Sequence, residues 1–248
     1  MRFVSLLFAT AMTLNPLVAV AQTANQGGPL IDYGTRFIPE IAAKGMVSGP
    51  EKLASEAGLS MLKRGGNAVD AAVATGFALA VTLPRAGNLA GGGFMLVHLA
   101  KTDEQVFIDY REMAPASASR DMFLNEDGTV NKQMAYNSPS AAGIPGTVAG
   151  MIHALENYGT LDLKTVIQPA IELAEQGFRV PAALHLNLRA ATKRLARNEE
   201  ANRIYLAGTG TAPAMGSLFK QPDLAATLKR ISDNGTDGFY KGKTAALI

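Results

Sequence analysis

The hydrophobic pattern from residue 48 onward begins with an amphipathic helix. Ser48–Glu51 combines a small capping residue, a Pro in the first turn and an acid beside the helix dipole, which predicts a helix start. Apolar residues then recur at four-residue spacing as far as Met61. Lys63–Gly66 supplies the basic residues and the glycines that end such a helix.

The next segment has no polar face. Asn67 can cap a helix over Ala68–Val81, which consists of small and apolar residues with a single charge, Asp70. At roughly 14 residues the segment is too short to span a bilayer, which requires about 18 or more apolar residues. The pattern therefore predicts a buried helix whose small side chains let other backbones approach closely.

A glycine-rich loop, Gly87–Gly93, leads into two strand-like segments. Phe94–Ala100 is apolar, a polar turn follows, and Gln105–Arg111 forms a second strand, so the unit is predicted to be a hairpin. Side chains alternate along a strand, which places Asp109 and Arg111 on the same face at the strand's end.

Further helices are predicted after the hairpin. Their ranges are Val148–Asn157, Leu161–Gln176, Pro181–Asn202 and Pro222–Ser232. Helices before and after a hairpin, without regular strand–helix alternation, favour a layered α+β fold over a doubly wound one. Gly242–Ile248 has the pattern of a helix opening without a cap or polar tail, which suggests that the 248 residues are the front of a longer polypeptide.

The first residues have the pattern of a secretory signal peptide. Arg2 precedes an apolar run, and Ala19–Ala21 is a small-x-small cleavage site, so cleavage is predicted after Ala21. Asn15 and the proline after it interrupt the run, which disfavours a membrane anchor. We therefore expect a periplasmic or secreted protein without a membrane span once the signal is removed.

Composition and charge exclude several classes of protein. With 48% hydrophobic residues and a net charge of +2, the chain is too apolar to be disordered and gives no reason to expect nucleic acid. The basic cluster Arg189–Arg197 is followed by Glu199 and Glu200, which favours a solvated helix face over a binding patch. The absence of cysteine excludes disulfides and thiolate nucleophiles.

Two glycine motifs do not predict nucleotide binding. Gly91–Gly93 precedes a strand, whereas a dinucleotide fingerprint lies between a strand and the following helix. Gly242–Thr244 resembles the end of a phosphate-binding loop, but Asp237 stands where such a loop requires glycine.

No complete catalytic or metal-binding constellation is visible in the sequence. The three histidines lie far apart, so no metal ligand set is expected, and His98 is expected to be a core residue; they are His98, His153 and His185. The candidate nucleophiles have no neighbouring base; they are Ser48, Ser60 and Ser138.

Asp109 and Arg111 form the most informative polar pair. They can make a local ion pair at a sheet edge. Alternatively, the planar guanidinium of Arg111 can bind a substrate carboxylate through two hydrogen bonds. The residue types alone leave both interpretations open.

Five motifs resemble one enzyme family. They are Arg64–Ala72 (RGGNAVDAA), Ala86–Met95 (AGNLAGGGFM), Ile108–Pro115 (IDYREMAP), Gly143–Gly150 (GIPGTVAG) and Gly238–Gly242 (GFYKG). In this order they resemble the N-terminal part of bacterial γ-glutamyltransferases, also called γ-glutamyltranspeptidases. The resemblance runs from about Gly45 to the end of the chain.

The resemblance implies an N-terminal-nucleophile hydrolase fold, a four-layer αββα sandwich. In this family a precursor cuts itself into a large and a small subunit, and the new N-terminal Thr of the small subunit attacks the γ-glutamyl amide of donors such as glutathione. The γ-glutamyl group passes to water, an amino acid or a peptide, without a metal or organic cofactor.

Arg111 matches the family arginine that binds the α-carboxylate of the donor, with Asp109 and Glu112 as orienting neighbours. Gly87–Gly93 matches a packing segment of the large subunit.

The family's Thr-Thr-His cleavage motif is absent, and Thr209–Thr211 does not substitute for it. We therefore expect a signal peptide over 1–21, an arm over 22–44 and a partial large-subunit region over 45–248, truncated at its C-terminus and inactive alone. Two alternatives stay open. One is a glutaryl or cephalosporin acylase of the same fold, and the other is a non-catalytic binding protein derived from the large subunit.

Overall fold

Helices make up about half of the described residues, and short antiparallel strand pairs lie between them. The computed structural model describes residues 40–248, so the predicted signal peptide and most of the predicted arm lie outside the described residues. The helices are α1 (Lys52–Lys63), α2 (Ala68–Thr82), α3 (Lys132–Asn137), α4 (Thr147–Tyr158), α5 (Leu163–Gln176), α6 (Ala182–Leu195), α7 (Glu199–Tyr205), α8 (Pro222–Asn234), α9 (Asp237–Tyr240) and α10 (Gly242–Leu247), and the strands are β1 (Phe94–Leu99), β2 (Glu104–Asp109), β3 (Phe178–Arg179) and β4 (Leu218–Phe219).

The predicted buried helix, α2, lies at the centre of the core. It packs against α1, α4 and α5, and Val73, Phe77 and Val81 are completely buried. Burial of each such side chain contributes about 1.5–3 kcal/mol relative to exposure. The predicted close approach of backbones is confirmed at the α1–α2 crossing, where a Cβ added to Gly58 would lie 2.7 Å from the Ala71 carbonyl oxygen.

The N-terminus of α2 is fixed by a buried carboxylate. Asn67 caps the helix as predicted, and its own backbone N–H donates to Asp70 Oδ2 at 2.6 Å, which completes a capping box. Asp70 also accepts from the Thr160 N–H at 2.9 Å, the Thr160 hydroxyl at 2.7 Å and the Leu161 N–H at 3.0 Å. One side chain therefore joins the start of α2 to the loop that follows α4.

The hairpin is confirmed, but its second strand ends earlier than predicted. β1 and β2 are antiparallel, with Phe94 opposite Asp109, and the ladder extends through hydrogen bonds between Gly93 and Tyr110. The N–H of Arg111 donates to the Asp109 side chain instead of to a strand partner. The predicted strand over 105–111 is thus wrong at its end, because Asp109 turns the chain away from the ladder.

The predicted long helix over 181–202 is wrong as a single element. It is divided into α6 and α7, because Asn198 has an extended backbone and its side chain accepts from the Ala201 N–H, as the cap of a new helix does. The sequence pattern does not indicate this break, since helix-forming residues continue on both sides of Asn198.

A second small strand pair was not predicted. β3 and β4 are antiparallel, with Phe178 opposite Phe219, and Gly177 joins α5 to β3 with φ +84°. The helices α5 and α8 pack together, and the Ile167 and Leu228 side chains there are fully buried. Residues 44–248 form one compact α+β unit, which confirms the predicted fold class. Within residues 40–248, no helix has the length and apolarity needed to cross a membrane.

Candidate functional site

Arg111 lies immediately after the hairpin, beside an open groove of about 520 Å³. The groove is lined by residues of β2, the following loop and α4, among them Tyr110, Met113, Ile144, Ala149 and His153. The Arg111 side chain is 66% exposed, so its charged end is accessible from solvent. The sequence predicts Arg111 within the second strand, but it lies two residues beyond the last residue of β2, outside the strand and next to its end.

The two acidic neighbours hold different parts of Arg111. Asp109 Oδ1 accepts from the Arg111 backbone N–H at 2.9 Å, whereas Glu112 Oε2 accepts from Arg111 Nε at 2.9 Å. The ion pair at this edge is thus between Arg111 and Glu112, and not the Asp109–Arg111 pair that the sequence offered as one interpretation. Asp109 fixes the main chain, and Glu112 fixes the guanidinium.

The carboxyl group of Glu112 is held in its ionised form beside Arg111. Its own backbone N–H, the Arg111 guanidinium and the Gly92 N–H hold the pKa of the Glu112 carboxyl below its ordinary value of 4.5. The carboxylate is therefore ionised at neutral pH. Its stabilising contact with Arg111 is fully present above pH 4.5 and is lost only as the pH falls through the lowered pKa.

The outer edge of the guanidinium remains available for a ligand. Nε is engaged by Glu112, and within residues 40–248 neither Nη1 nor Nη2 of Arg111 has a hydrogen-bond partner. Two parallel N–H donors on this edge match the two oxygens of a carboxylate. The arrangement can therefore bind an anionic group in two hydrogen bonds without breaking the Arg111–Glu112 pair.

Tyr110 is a residue of this site that the sequence reasoning missed. Its half-buried ring lies against Gly93, where an added Cβ would be 2.8 Å from Tyr110 Cε2, and against Gly150 of α4, where an added Cβ would overlap the base of the ring. Burial raises the pKa of the Tyr110 hydroxyl. The available signal was the glycine spacing at the start of α4, since the cap residue Gly146 and Gly150 face the same neighbour four residues apart.

The other sequence candidates have local structural roles. His98 is exposed on β1, so the prediction of a core residue is wrong, because its side chain alternates onto the outer face of the hairpin. His153 contacts Asn157, and His185 contacts the Pro213 carbonyl oxygen at 2.8 Å. Within residues 40–248, no three His, Cys, Asp or Glu side chains are grouped so that they could hold a metal ion.

Two of the three serine candidates, the threonine of the second glycine motif and the basic cluster have local structural roles. Ser60 and Ser138 donate to helix carbonyl groups, and the buried Thr244 donates to the Gly238 carbonyl. Gly242–Thr244 therefore contributes to packing at the start of α10. The charged side chains of Arg189–Arg197 are exposed, as predicted for a solvated face.

Comparison with known proteins gives one consistent family for this chain. A family model described as gamma-glutamyltranspeptidase matches residues 54–248. The glutathione hydrolase proenzyme of Escherichia coli (strain K12) is 45% identical over 223 residues, which cover 89% of this chain and 38% of that protein. The chain thus spans less than half the length of this relative.

Solved structures give the same result for the fold. The gamma-glutamyltranspeptidase of Helicobacter pylori has a TM-score of 0.82 at 42% identity, covering 85% of this chain and 60% of that chain. A cephalosporin acylase from Bacillus halodurans has a TM-score of 0.70 at 26% identity. The match covers 87% of this chain and 42% of the acylase chain. The fold is that of the N-terminal-nucleophile hydrolases, and the acylase alternative is less favoured. The chain belongs to the gamma-glutamyltranspeptidase family.

Proposed function

We propose that this chain is the N-terminal, large-subunit portion of an exported γ-glutamyltransferase precursor. The mature enzyme cleaves the γ-glutamyl amide of glutathione and related donors and transfers the γ-glutamyl group to water, an amino acid or a peptide. The observation that carries the proposal is the Arg111 guanidinium, which has one edge held by Glu112 and the other free of partners within residues 40–248. Family membership supplies the reaction class.

Arg111 binds the α-carboxylate of the donor. Nη1 and Nη2 donate one hydrogen bond to each carboxylate oxygen, which fixes both the position and the orientation of the glutamyl group. The glutamyl chain then extends from this anchor toward the amide that is cleaved. Holding the donor in one orientation removes much of the entropic cost of bringing the amide to the nucleophile.

Asp109 and Glu112 act on the donor through Arg111 as positioning residues. Asp109 holds the Arg111 backbone through the N–H, and Glu112 holds Nε, so the main chain and one edge of the guanidinium each have a partner before the donor binds. A guanidinium that is already fixed loses less entropy when the carboxylate binds.

The nucleophile and its base belong to the small subunit. In this family the N-terminal Thr of that subunit supplies its hydroxyl as nucleophile and its α-amine as base, so neither a histidine nor a cofactor is required.

The outer face of the β1–β2 hairpin has the exposed apolar surface that a partner subunit would cover. Phe94, Leu96 and Phe107 are 52%, 69% and 62% exposed, and the two phenyl rings stack with centroids 5.6 Å apart. We assign this apolar face to the small subunit of the same precursor.

The signal-peptide pattern of residues 1–21 supports export. The mature protein is accordingly periplasmic or secreted. Its substrates are a γ-glutamyl donor and an amino-acid or peptide acceptor, and nucleic acid is not among its partners.

Substitution of Arg111 tests the proposal. In the full-length, processed protein, Arg111→Lys is expected to weaken kcat/KM for a γ-glutamyl anilide by roughly 2–5 kcal/mol, because a bidentate contact becomes a point contact. The matched control is Arg120→Lys, since the Arg120 side chain is 95% exposed and, within residues 40–248, its ion pair is with the adjacent Asp121. Equal activity of the two variants would overturn the role of Arg111. Faster cleavage of a glutaryl anilide than of a γ-glutamyl anilide by the unmodified protein would instead favour the acylase.

A further inference from the structure

Three chain segments meet around Tyr110. Its backbone exchanges two hydrogen bonds with Gly93, and Gly146 and Gly150 of the segment that begins α4 lie against its carbonyl group and its ring. A Cβ added to Gly146 would overlap the Tyr110 carbonyl oxygen. The residue before Arg111 is thus enclosed by glycines on two sides.

The segments that enclose Tyr110 are themselves tied together. The N–H groups of Gly146 and Thr147 both donate to the Gly91 carbonyl oxygen, at 2.7 and 3.0 Å. The Tyr240 hydroxyl donates to the Pro145 carbonyl oxygen at 2.8 Å, which holds the start of α4 from its other side. Displacement of Tyr110 would therefore require several tertiary hydrogen bonds to move with it.

The contact at Gly150 reaches the rigid part of Tyr110. An added Cβ would overlap Tyr110 Cβ, Cγ and Cδ1, and because the backbone sets the position of Tyr110 Cβ, side-chain rotation cannot relieve the whole overlap. Relief of the overlap requires the Tyr110 backbone and α4 to move apart. Because Arg111 is the next residue, its Cα follows any movement of the Tyr110 backbone.

From this geometry we infer that Tyr110 is the positioning residue for the Arg111 guanidinium, with its ring seated in the space that Gly93 and Gly150 leave open. The inference rests on the proposed role of Arg111 in binding the donor carboxylate. Glu112 orients the guanidinium about its own bonds, whereas Tyr110 determines where the main chain presents it. Misplacement of a substrate anchor by about 1 Å is sufficient to lower turnover by orders of magnitude.

Two donors that differ only in the carboxylate provide the test. A γ-glutamyl anilide carries the α-carboxylate, and a 4-aminobutanoyl anilide keeps the amine but lacks the carboxylate. The ratio of their kcat/KM values in the full-length, processed protein reports carboxylate recognition. A general loss of structure lowers both values together and leaves the ratio unchanged.

Gly150→Ala is expected to lower this ratio by about tenfold or more. Tyr110→Ala is expected to lower it by a similar factor, because it removes the ring and leaves the space between Gly93 and Gly150 empty. Tyr110→Phe retains the ring and is expected to keep the ratio within about twofold, because the weak 3.4 Å hydroxyl contact to Phe94 is all that it removes. The control is Gly58→Ala, which crowds the α1–α2 crossing without touching Tyr110.

The outcomes separate this inference from the proposed function. A ratio that Arg111→Lys leaves unchanged would remove the carboxylate role itself. A ratio that falls in Arg111→Lys but stays at the unmodified value in Tyr110→Ala would overturn the role of Tyr110 alone. If Gly150→Ala does not fold, the comparison of Tyr110→Ala with Tyr110→Phe still decides. In the double variant Arg111→Lys with Gly150→Ala, the ratio is expected to fall no further than in Arg111→Lys, because both changes act on the same contact.

Discussion

At the residue scale, a single buried carboxylate, Asp70, organises more of the described chain than any charged residue at the surface. It is completely buried and has four hydrogen-bond donors, two from backbone N–H groups of the 160–161 loop, one from the Asn67 N–H and one from the Thr160 hydroxyl. Although burial alone would raise its pKa, the hydrogen bonds from Thr160, Leu161 and Asn67 together hold the pKa of Asp70 below its ordinary value of 3.8.

Asp70→Asn is expected to lower the free energy of unfolding by about 2–4 kcal/mol, because the amide turns an N–H₂ group toward donors that then lack an acceptor. Urea denaturation at pH 7 measures the loss. The control is Asp162→Asn, at the exposed cap of α5, which should cost under about 1 kcal/mol since Asn is an equally good cap.

The difference in unfolding free energy between the unmodified protein and Asp70→Asn is expected to depend on pH. The folded pKa of Asp70 is lowered, so its stabilising effect is fully present above pH 3.8 and is lost as the pH falls below that value. The gap between the unmodified protein and Asp70→Asn should therefore narrow in unfolding curves measured near pH 3. A gap that widened there would contradict the assignment.

The sequence identified some of these residues and missed others for physical reasons. Asn67 and Arg111 could be predicted, because a cap before an apolar helix and a charge at the end of a strand are local patterns. The long-range donors to Asp70 lie 90 and 91 residues away, and the ring of Tyr110 lies against Gly93, before β1, and Gly150 of α4. Contacts of this kind follow from tertiary packing and leave no periodic signal along the chain.

At the scale of elements, the hairpin and the longer helices follow from hydrophobic spacing, and the errors occur where polar side chains act on the backbone. Asp109 ends β2 and Asn198 starts α7, each by accepting an N–H that the predicted strand or helix would have used. The two-residue strands β3 and β4 are too short for side-chain alternation to reveal them.

Gly177 is the junction between α5 and β3, and its backbone at φ +84°, ψ 171° is one that only glycine adopts without strain. An added Cβ would also lie 2.6 Å from the Phe219 carbonyl oxygen on β4. Gly177→Ala should therefore destabilise the fold by about 2–4 kcal/mol in thermal or urea unfolding.

Gly65→Ala serves as the control for this change. Gly65 also has a positive φ, +87°, but no atom lies within 4 Å of its added Cβ. Gly65→Ala should lower the free energy of unfolding by about 1–2 kcal/mol, from backbone strain alone. If the two variants were equally stable, the contact with Phe219 would have no energetic role.

At the scale of the whole molecule, the described residues contain a core and the proposed substrate anchor, Arg111, and within residues 40–248 no nucleophile lies next to a base. The 248-residue chain on its own is therefore expected to release no product from a γ-glutamyl anilide. A chromogenic assay of a pure preparation, with the full-length processed protein as positive control, measures this. Turnover by the isolated chain would mean that the nucleophile lies within these residues.

The bond between Thr160 and Asp70 also sets an order of events in time. The two residues are 90 positions apart, so at a synthesis rate of about 5–20 residues per second the carboxylate waits about 5–18 s for its donors. During that interval α2 already has α1 beside it but lacks the 160–161 loop, and α5, which packs on it, is complete only at Gln176. The apolar surface of α2 that α4 and α5 cover therefore stays exposed on the growing chain until synthesis has passed residue 176.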